Sequence, residues 1–152
     1  MFIIAKSIDV NVPIRTAYNQ WTQFEQFPRF MEGVREVKQL DDKRLHWRAE
    51  VGGHEVEWDA LITEQIPDQR IAWQSTTGAE NAGIVTFHPL TNNACRITVA
   101  MSYDPKGVVE NLGDMLGAVS KRVEGDLERF KSFIESSGRE TGSWRGKIPK
   151  SA

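Results

Sequence analysis

The chain has 152 residues, of which 39% are hydrophobic and 26% charged, and its net charge is −2 at neutral pH. That length suits one domain with a sizeable core rather than two, and the near-neutral balance removes any bulk attraction to nucleic acid or anionic membrane. Cys95 is the single cysteine, which excludes an intrachain disulfide and any multi-cysteine metal site and fits a reducing, cytoplasmic setting.

The opening MFIIAKSIDV is interrupted too early by Lys6 and Asp9 to be expected as a signal peptide. No apolar run approaches the ~20 residues of a membrane helix, so no integral membrane segment is expected. Residues 2–10 are β-branched and partly alternating, which predicts a strand. Pro13 suits the first turn of a helix, followed at helical spacing by Ile14, Ala17, Tyr18 and Trp21. Phe24, Phe27, Phe30 and Met31, with Pro28 among them, predict a second short helix or compact turn that closes at Gly33.

Six strand-like runs follow, separated by turn residues: Val34–Leu40, Arg44–Val51, His54–Ile66, Arg70–Thr76, Gly83–Leu90 and Cys95–Tyr103. Short connections between consecutive strands imply antiparallel hairpins, since parallel pairs need long crossovers. The hairpin at Gly52-Gly53 carries its own register. With a two-residue turn, Trp47 falls opposite Trp58, Ala49 opposite Val56 and Leu45 opposite Ala60, while Arg48 meets Glu57 and His46 meets Asp59. One register thus yields an apolar face and a charge-complementary face together, and a one-residue slip destroys both. The next hairpin, turning at Pro67-Asp68, sets Trp73 opposite Ile62 on that apolar face. Three of the five Trp therefore share one side of the sheet.

From Val108 the period changes. Val109, Leu112, Leu116, Val119, Val123, Leu127, Phe130 and Ile134 step by three or four, widened by Met115 and Phe133, which predicts one long amphipathic helix. Gly138 ends it as a C-cap glycine does. Residues 1–137 are expected to form the single domain, and 138–152 a flexible basic tail in which Trp144 is the one residue suited to docking. One helix laid on a curved, single-faced sheet leaves a concave apolar gap, the kind of space in which small ligands bind.

The run Ile8-Asp9-Val10-Asn11-Val12-Pro13 through Ala17-Tyr18-Asn19-Gln20-Trp21, then Phe27-Pro28-Arg29-Phe30-Met31, resembles the opening of the polyketide cyclase/dehydrase-like family of the START/Bet v 1-related (SRPBCC) superfamily. Trp47, Trp58-Asp59-Ala60, Arg70-Ile71-Ala72-Trp73 and Gly83-Ile84-Val85-Thr86-Phe87 resemble its strands, and the likeness spans about residues 2–137. It implies an α+β helix-grip fold: a curved antiparallel sheet of about seven strands wrapped around a long C-terminal helix, with two short helices after the first strand. It does not fix an activity, because the superfamily includes lipid carriers, quinone-binding proteins and aromatic cyclases.

On that fold the candidate ligand-binding residues are Trp47, Trp58 and Trp73, with Val85, Phe87, Val99, Met101 and Tyr103 at matching inward parity on the last two strands, Phe30, and Met115, Leu116 and Val119 on the helix. The competing reading for each is plain core packing. Met31, Met101 and Met115 are adaptable gap fillers. His46, His54 and His88 lack metal-site spacing, and His46 opposite Asp59 is expected as a surface pair of small energetic value. Glu64 has the inward parity of Ile62 and is either a rim carboxylate or solvated where parity is lost near Pro67. The leading expectation is a binding or carrier domain for a small hydrophobic molecule such as a lipid, quinone or polyketide-like ring. No cofactor, metal or nucleic acid is expected, and the oligomeric state, a homodimer included, is left open. The alternatives are an aromatase/cyclase or dehydratase, which needs a polar side chain inside the cavity, and an interaction module using the basic tail around Trp144.

Overall fold

The computed structural model describes residues 2–51, 53–104 and 112–150, the side chains of Phe2 and of 112–115 excepted. The order is β1 (Phe2–Val10), α1 (Ile14–Trp21), a short 3-10 helix (Phe24–Arg29), β2 (Val34–Gln39), β3 (Arg44–Val51), β4 (His54–Ile66), β5 (Arg70–Gly78), β6 (Glu80–Thr91), β7 (Ala94–Asp104) and α2 (Leu112–Ser137). The strands form one antiparallel sheet in the order β1-β7-β6-β5-β4-β3-β2. This is the helix-grip arrangement that the family resemblance implies.

The β3–β4 register is the one that the two faces require: Leu45 pairs Ala60, His46 pairs Asp59, Trp47 pairs Trp58 and Arg48 pairs Glu57. Ile62 pairs Trp73 across β4 and β5. The β4–β5 register shifts twice at bulges: opposite Asp59 and Ala60 the extra residue is Thr76 of β5, and between Ile62 and Glu64 it is Thr63 of β4. The second bulge resets the alternation, so Gln65 points inward, fully buried, and Glu64 turns to the other side. A bulge also adds twist, which deepens the concave face.

Helix α2 lies against that face. Val119, Leu127, Phe130 and Ile134 are its buried stripe, and Phe130 packs edge-on to Trp21 and Phe30 with centroids 5.0 Å away in each case. Val109 of the predicted stripe lies outside the described residues. The helix also closes the free edge of β1 at one end: Lys131 Nζ donates to the Asp9 carbonyl (2.8 Å) and the Asn11 N–H donates to Glu135 (2.8 Å). Polar cover of this kind keeps an open strand edge from pairing with another chain.

The described residues after Gly138, where the composition suggests a flexible tail, lie against the fold through a series of hydrogen bonds. The Thr141 N–H donates to Gln20 Oε1 (2.8 Å), Gln20 Nε2 donates to Thr141 Oγ1 (3.1 Å), and the Trp144 N–H donates to Thr22 Oγ1 (3.0 Å). Asn19 donates to Glu140 (2.8 Å), and Arg145 reaches Asp68 (2.8 Å) and sits over the Tyr18 ring. Ile148, buried, exchanges two backbone hydrogen bonds with Gln65. Asn19, Gln20, Thr22 and Gln65, four of the five buried polar side chains among the described residues, lie under this strap. Buried polar groups need partners, and the strap supplies them to the side chains of Asn19, Gln20 and Thr22 and to the backbone of Gln65, whose side-chain amide donates instead to the Tyr18 hydroxyl (3.1 Å).

Candidate ligand-binding site

A cavity of about 180 Å³ lies between the concave sheet face and α2. Its sheet wall carries Trp47, Trp58 and Trp73, with Ile62, Ile71, Val85, Val99 and Met101 between and beyond them; Val119, Val123 and Leu127 form the helix wall. Trp21, Phe24, Phe27 and Met31 close one end. The surface facing the space is almost wholly apolar carbon.

The tryptophans differ in their bonding. Trp47 and Trp58 stack across β3 and β4 with centroids 5.4 Å apart and planes 10° from parallel. The register forces this, because directly paired residues on one face bring their side chains into contact. Phe27 also meets Trp47, tilted by 46° with centroids 5.5 Å apart. Trp73 stands over Gly83, its cross-strand partner, where an added Cβ would lie 2.6 Å from the indole. Its N–H donates to Asn81 Oδ1 at 2.9 Å. The indole N–H groups of Trp47 and Trp58 are buried and have no partner among the described residues.

Eight of the sequence-predicted residues line the cavity: Trp47, Trp58, Trp73, Val85, Val99, Met101, Tyr103 and Val119. Phe30 and Phe87 do not. Both are buried in the packed layer around α1, where Phe87 meets Tyr18 at 5.4 Å and Trp21 at 6.3 Å. Inward parity puts a side chain on the core side of the sheet without saying whether packed atoms or empty space faces it. Leu116 is 37% exposed and lies off the cavity. The side chain of Met115 lies outside the described residues.

Two charged residues on the wall have no signal in the strand pattern. Arg122 and Asp126 sit one turn apart on α2, beside the apolar stripe. Arg122 Nη1 donates to the Glu50 carbonyl (3.1 Å), and Asp126 accepts from the Glu32 N–H (3.2 Å) and from Arg129 Nη2 (2.6 Å). Arg129 Nε donates to the Phe30 carbonyl (3.0 Å). Asp126 and Arg129 clasp the connection between the 3-10 helix and β2, which contributes Met31 and Gly33 to the cavity, while Arg122 ties α2 to the end of β3. Burial pushes the Asp126 carboxyl up to about 6, against the opposing pull of the Arg129 hydrogen bond. Tyr103 is also on the wall, and burial raises its hydroxyl above the ordinary range.

Glu50 also borders the cavity, its carboxylate paired with Arg35 at 2.7 Å, and the groups that follow stand elsewhere. Glu64 is outside the cavity, bound by Arg70 through two contacts of 2.8 and 3.1 Å that hold its carboxyl below the usual range. His46 is a surface group: Nδ1 lies 2.6 Å from Asp59, whose carboxylate raises the imidazole's affinity for a proton. Cys95 is fully buried and its thiol is pushed up to about 11 by burial, so it is not a reactive nucleophile at neutral pH. Among the described residues no group of three or more His, Cys, Asp or Glu side chains is arranged to hold a metal, and no helix is long and apolar enough to cross a membrane.

Fold and cavity together define a helix-grip domain with an apolar internal site. The chain belongs to the family described as polyketide cyclase / dehydrase and lipid transport, whose model matches residues 10–131. It is 52% identical over 146 residues to an uncharacterised 17.2 kDa protein of Streptomyces lincolnensis, covering 95% of this chain and 97% of that one. Among solved structures it is similar to a Deinococcus radiodurans protein (29% identity, TM-score 0.72, 91% of this chain and 99% of that one). It also superposes on the Zhui aromatase/cyclase of a Streptomyces species (13% identity, TM-score 0.77, 94% and 99%) and on a START superfamily protein of Mycobacterium smegmatis (12% identity, TM-score 0.74, 89% and 98%). At those last identities the likeness is one of fold.

Proposed function

We propose that the protein binds a small, largely apolar, planar molecule in this cavity, as a carrier or sequestering domain. The family supports a ligand-binding or cyclase role. The observation that carries the binding reading is an apolar space of about 180 Å³ walled by three tryptophans. An apolar cavity of roughly 150 Å³ is enough to take up benzene, so this one suits a molecule of one or two fused rings, with the indole faces stacking on it. The residues expected to hold it are Trp47, Trp58, Trp73, Val85, Val99, Met101, Tyr103 and Val119. Mass spectrometry of an organic extract of gently purified protein tests the reading. Stoichiometric recovery of a small aromatic or lipid-like compound supports it; an empty extract together with no saturable uptake of any aromatic probe overturns it.

A second reading, a cyclase or dehydratase, is favoured by one observation: Asp126, with its carboxyl near 6, and Arg122 stand on the cavity wall. A carboxyl near neutrality is a competent general acid or base. Against it, both side chains are already engaged by backbone groups, Asp126 by the Glu32 N–H and Arg122 by the Glu50 carbonyl of β3, which is a structural task. The interaction-module reading loses its contact surface, because Trp144 packs on the core and the strap is occupied within the chain.

A further inference from the structure

We propose that Arg122 is the gate of the cavity: its side chain closes the seam between α2 and the end of β3, and a ligand enters and leaves when the guanidinium swings off Gly33. This rests on the proposed binding at the same cavity and adds the route to it. The two flanks of α2 differ. On one, α2 is tied to β1 and to Asn11 just beyond it, and no residue of β1 lines the cavity. The sheet itself is a continuous antiparallel ladder, which opens only by breaking backbone pairs. On the other flank the cavity runs out to the seam: Gly33, Val34, Glu50 and Val51 line it from one bank, Arg122 and Val123 from the other. The bonds described across that line come from side chains of α2 to backbone groups. Glu50 lines the cavity while its side chain keeps 37% of its surface exposed, so one residue separates the space from solvent there.

Gly33 shows how Arg122 fills the seam. Its backbone is not in the left-handed region, so conformation does not call for glycine. Space does: a side chain at residue 33 would overlap Nη1 of Arg122 outright and come 2.8 Å from the Glu50 carbonyl. The guanidinium therefore occupies the place where residue 33 would otherwise have put a fixed plug. Arg122 Nη1 donates to the Glu50 carbonyl (3.1 Å), and the Glu50 N–H donates to the Gly33 carbonyl (2.7 Å). An arginine is a removable plug where an apolar residue is a permanent one. Its charged head is at home in water, its stem is flexible, and an exposed side chain changes rotamer quickly. Further along α2, Asp126 and Arg129 cross the same seam through the Glu32 N–H, the Phe30 carbonyl and, at 3.3 Å, the Glu32 carboxylate. That level stays shut while the single bond of Arg122 to Glu50 breaks and re-forms.

The test is the exchange of naphthalene on the full-length protein, followed by line shapes and relaxation dispersion of the Val85, Val99 and Val119 methyl groups, which yield the on-rate and the off-rate. Wild type is compared with Arg122→Ala and with Lys131→Ala. Alanine is the best helix former, so the first variant keeps α2 intact. In it both rates should rise about tenfold, which is about 1.4 kcal/mol off a barrier common to entry and exit, while Kd moves by less than about twofold. Lys131→Ala removes the bond to the Asp9 carbonyl on the sealed flank and should exchange at the wild-type rates. Wild-type rates in Arg122→Ala would overturn the gate and leave the cavity reading standing. An equal acceleration in Lys131→Ala would also overturn it, because α2 would then be loosening as a whole. So would a change confined to the off-rate, which would make Arg122 a ligand contact rather than a gate. If the wild type shows no saturable binding of naphthalene, the cavity reading fails and the gate with it.

Discussion

Replacing Ile148 by Ala asks whether the C-terminal strap is part of the fold. Ile148 keeps 4% of its surface exposed and forms a two-bond bridge with the buried Gln65. Truncating a packed isoleucine to alanine costs about 2–5 kcal/mol in a core that cannot relax. A terminal segment has an escape that a core does not: once the loss exceeds its own docking free energy, it undocks. The cost of Ile148→Ala is therefore capped by that of deleting 139–152, and the lower end, about 2 kcal/mol, is expected. For a chain of this size that lowers Tm by roughly 4–8 °C. The assay is thermal and urea unfolding of wild type, Ile148→Ala and the deletion, each with and without Thr22→Val. Thr22 Oγ1 accepts from the Trp144 N–H but also donates to the Asn19 carbonyl (2.6 Å). Only the first bond depends on the strap, so Thr22→Val should cost about 1 kcal/mol more in the full chain than in the deletion. A deletion that leaves Tm unchanged, with Thr22→Val costing the same in both backgrounds, would refute the docked strap.

Gly83→Ala should destabilise by about 1–3 kcal/mol, since its Cβ would meet the Trp73 ring at 2.6 Å and the Ala100 carbonyl at 2.7 Å; Trp fluorescence should shift as the indole is displaced. Asp126 is protonated in the folded state up to about pH 6 and in the unfolded state only to about 3.8. Between those values the fold binds the extra proton, so this group's contribution is largest at low pH and is lost as pH rises from about 4 to 6; the slope of Tm against pH in that window should become more positive in Asp126→Asn, and an unchanged slope would contradict the raised value. His46 should titrate above the ordinary 6.5 because of Asp59, and its stabilising charge is full below 6.5 and lost as pH rises through the folded value. In Asp59→Asn the imidazole NMR titration should fall back, and an unmoved midpoint would exclude the pairing.

How far the fold could be foreseen depends on the range of the signal. The β3–β4 register is local: five residue pairs had to match on two faces at once, and no second alignment of the Trp47 and Trp58 strands does so. The helix stripe is equally local, and Val119, Leu127, Phe130 and Ile134 sit where its period puts them. For Glu64 the loss of parity is one of the two readings that the sequence allows, and it is the one that the structure takes; the bulge after Ile62 that causes it has no reliable sequence mark, so alternation alone could not place it. Arg122 and Asp126 escaped because their partners are backbone groups of Phe30–Gly33 and Glu50, which a helical period cannot see. The strap is held through Asn19, Gln20 and Thr22, polar residues that in isolation look like the solvent face of α1. Their burial is a tertiary fact, set by a segment more than a hundred residues away.

The most direct test of the cavity is occupancy. Methyl groups of Val85, Val99 and Val119 line it from two strands and the helix, so methyl NMR during titration with naphthalene reports whether the space fills. Saturable one-to-one shifts confined to these three valines and their lining neighbours, abolished when Val99→Phe fills the space, are predicted. Shifts spread over the outer sheet face, or no saturable response in the wild type, would contradict an internal binding site.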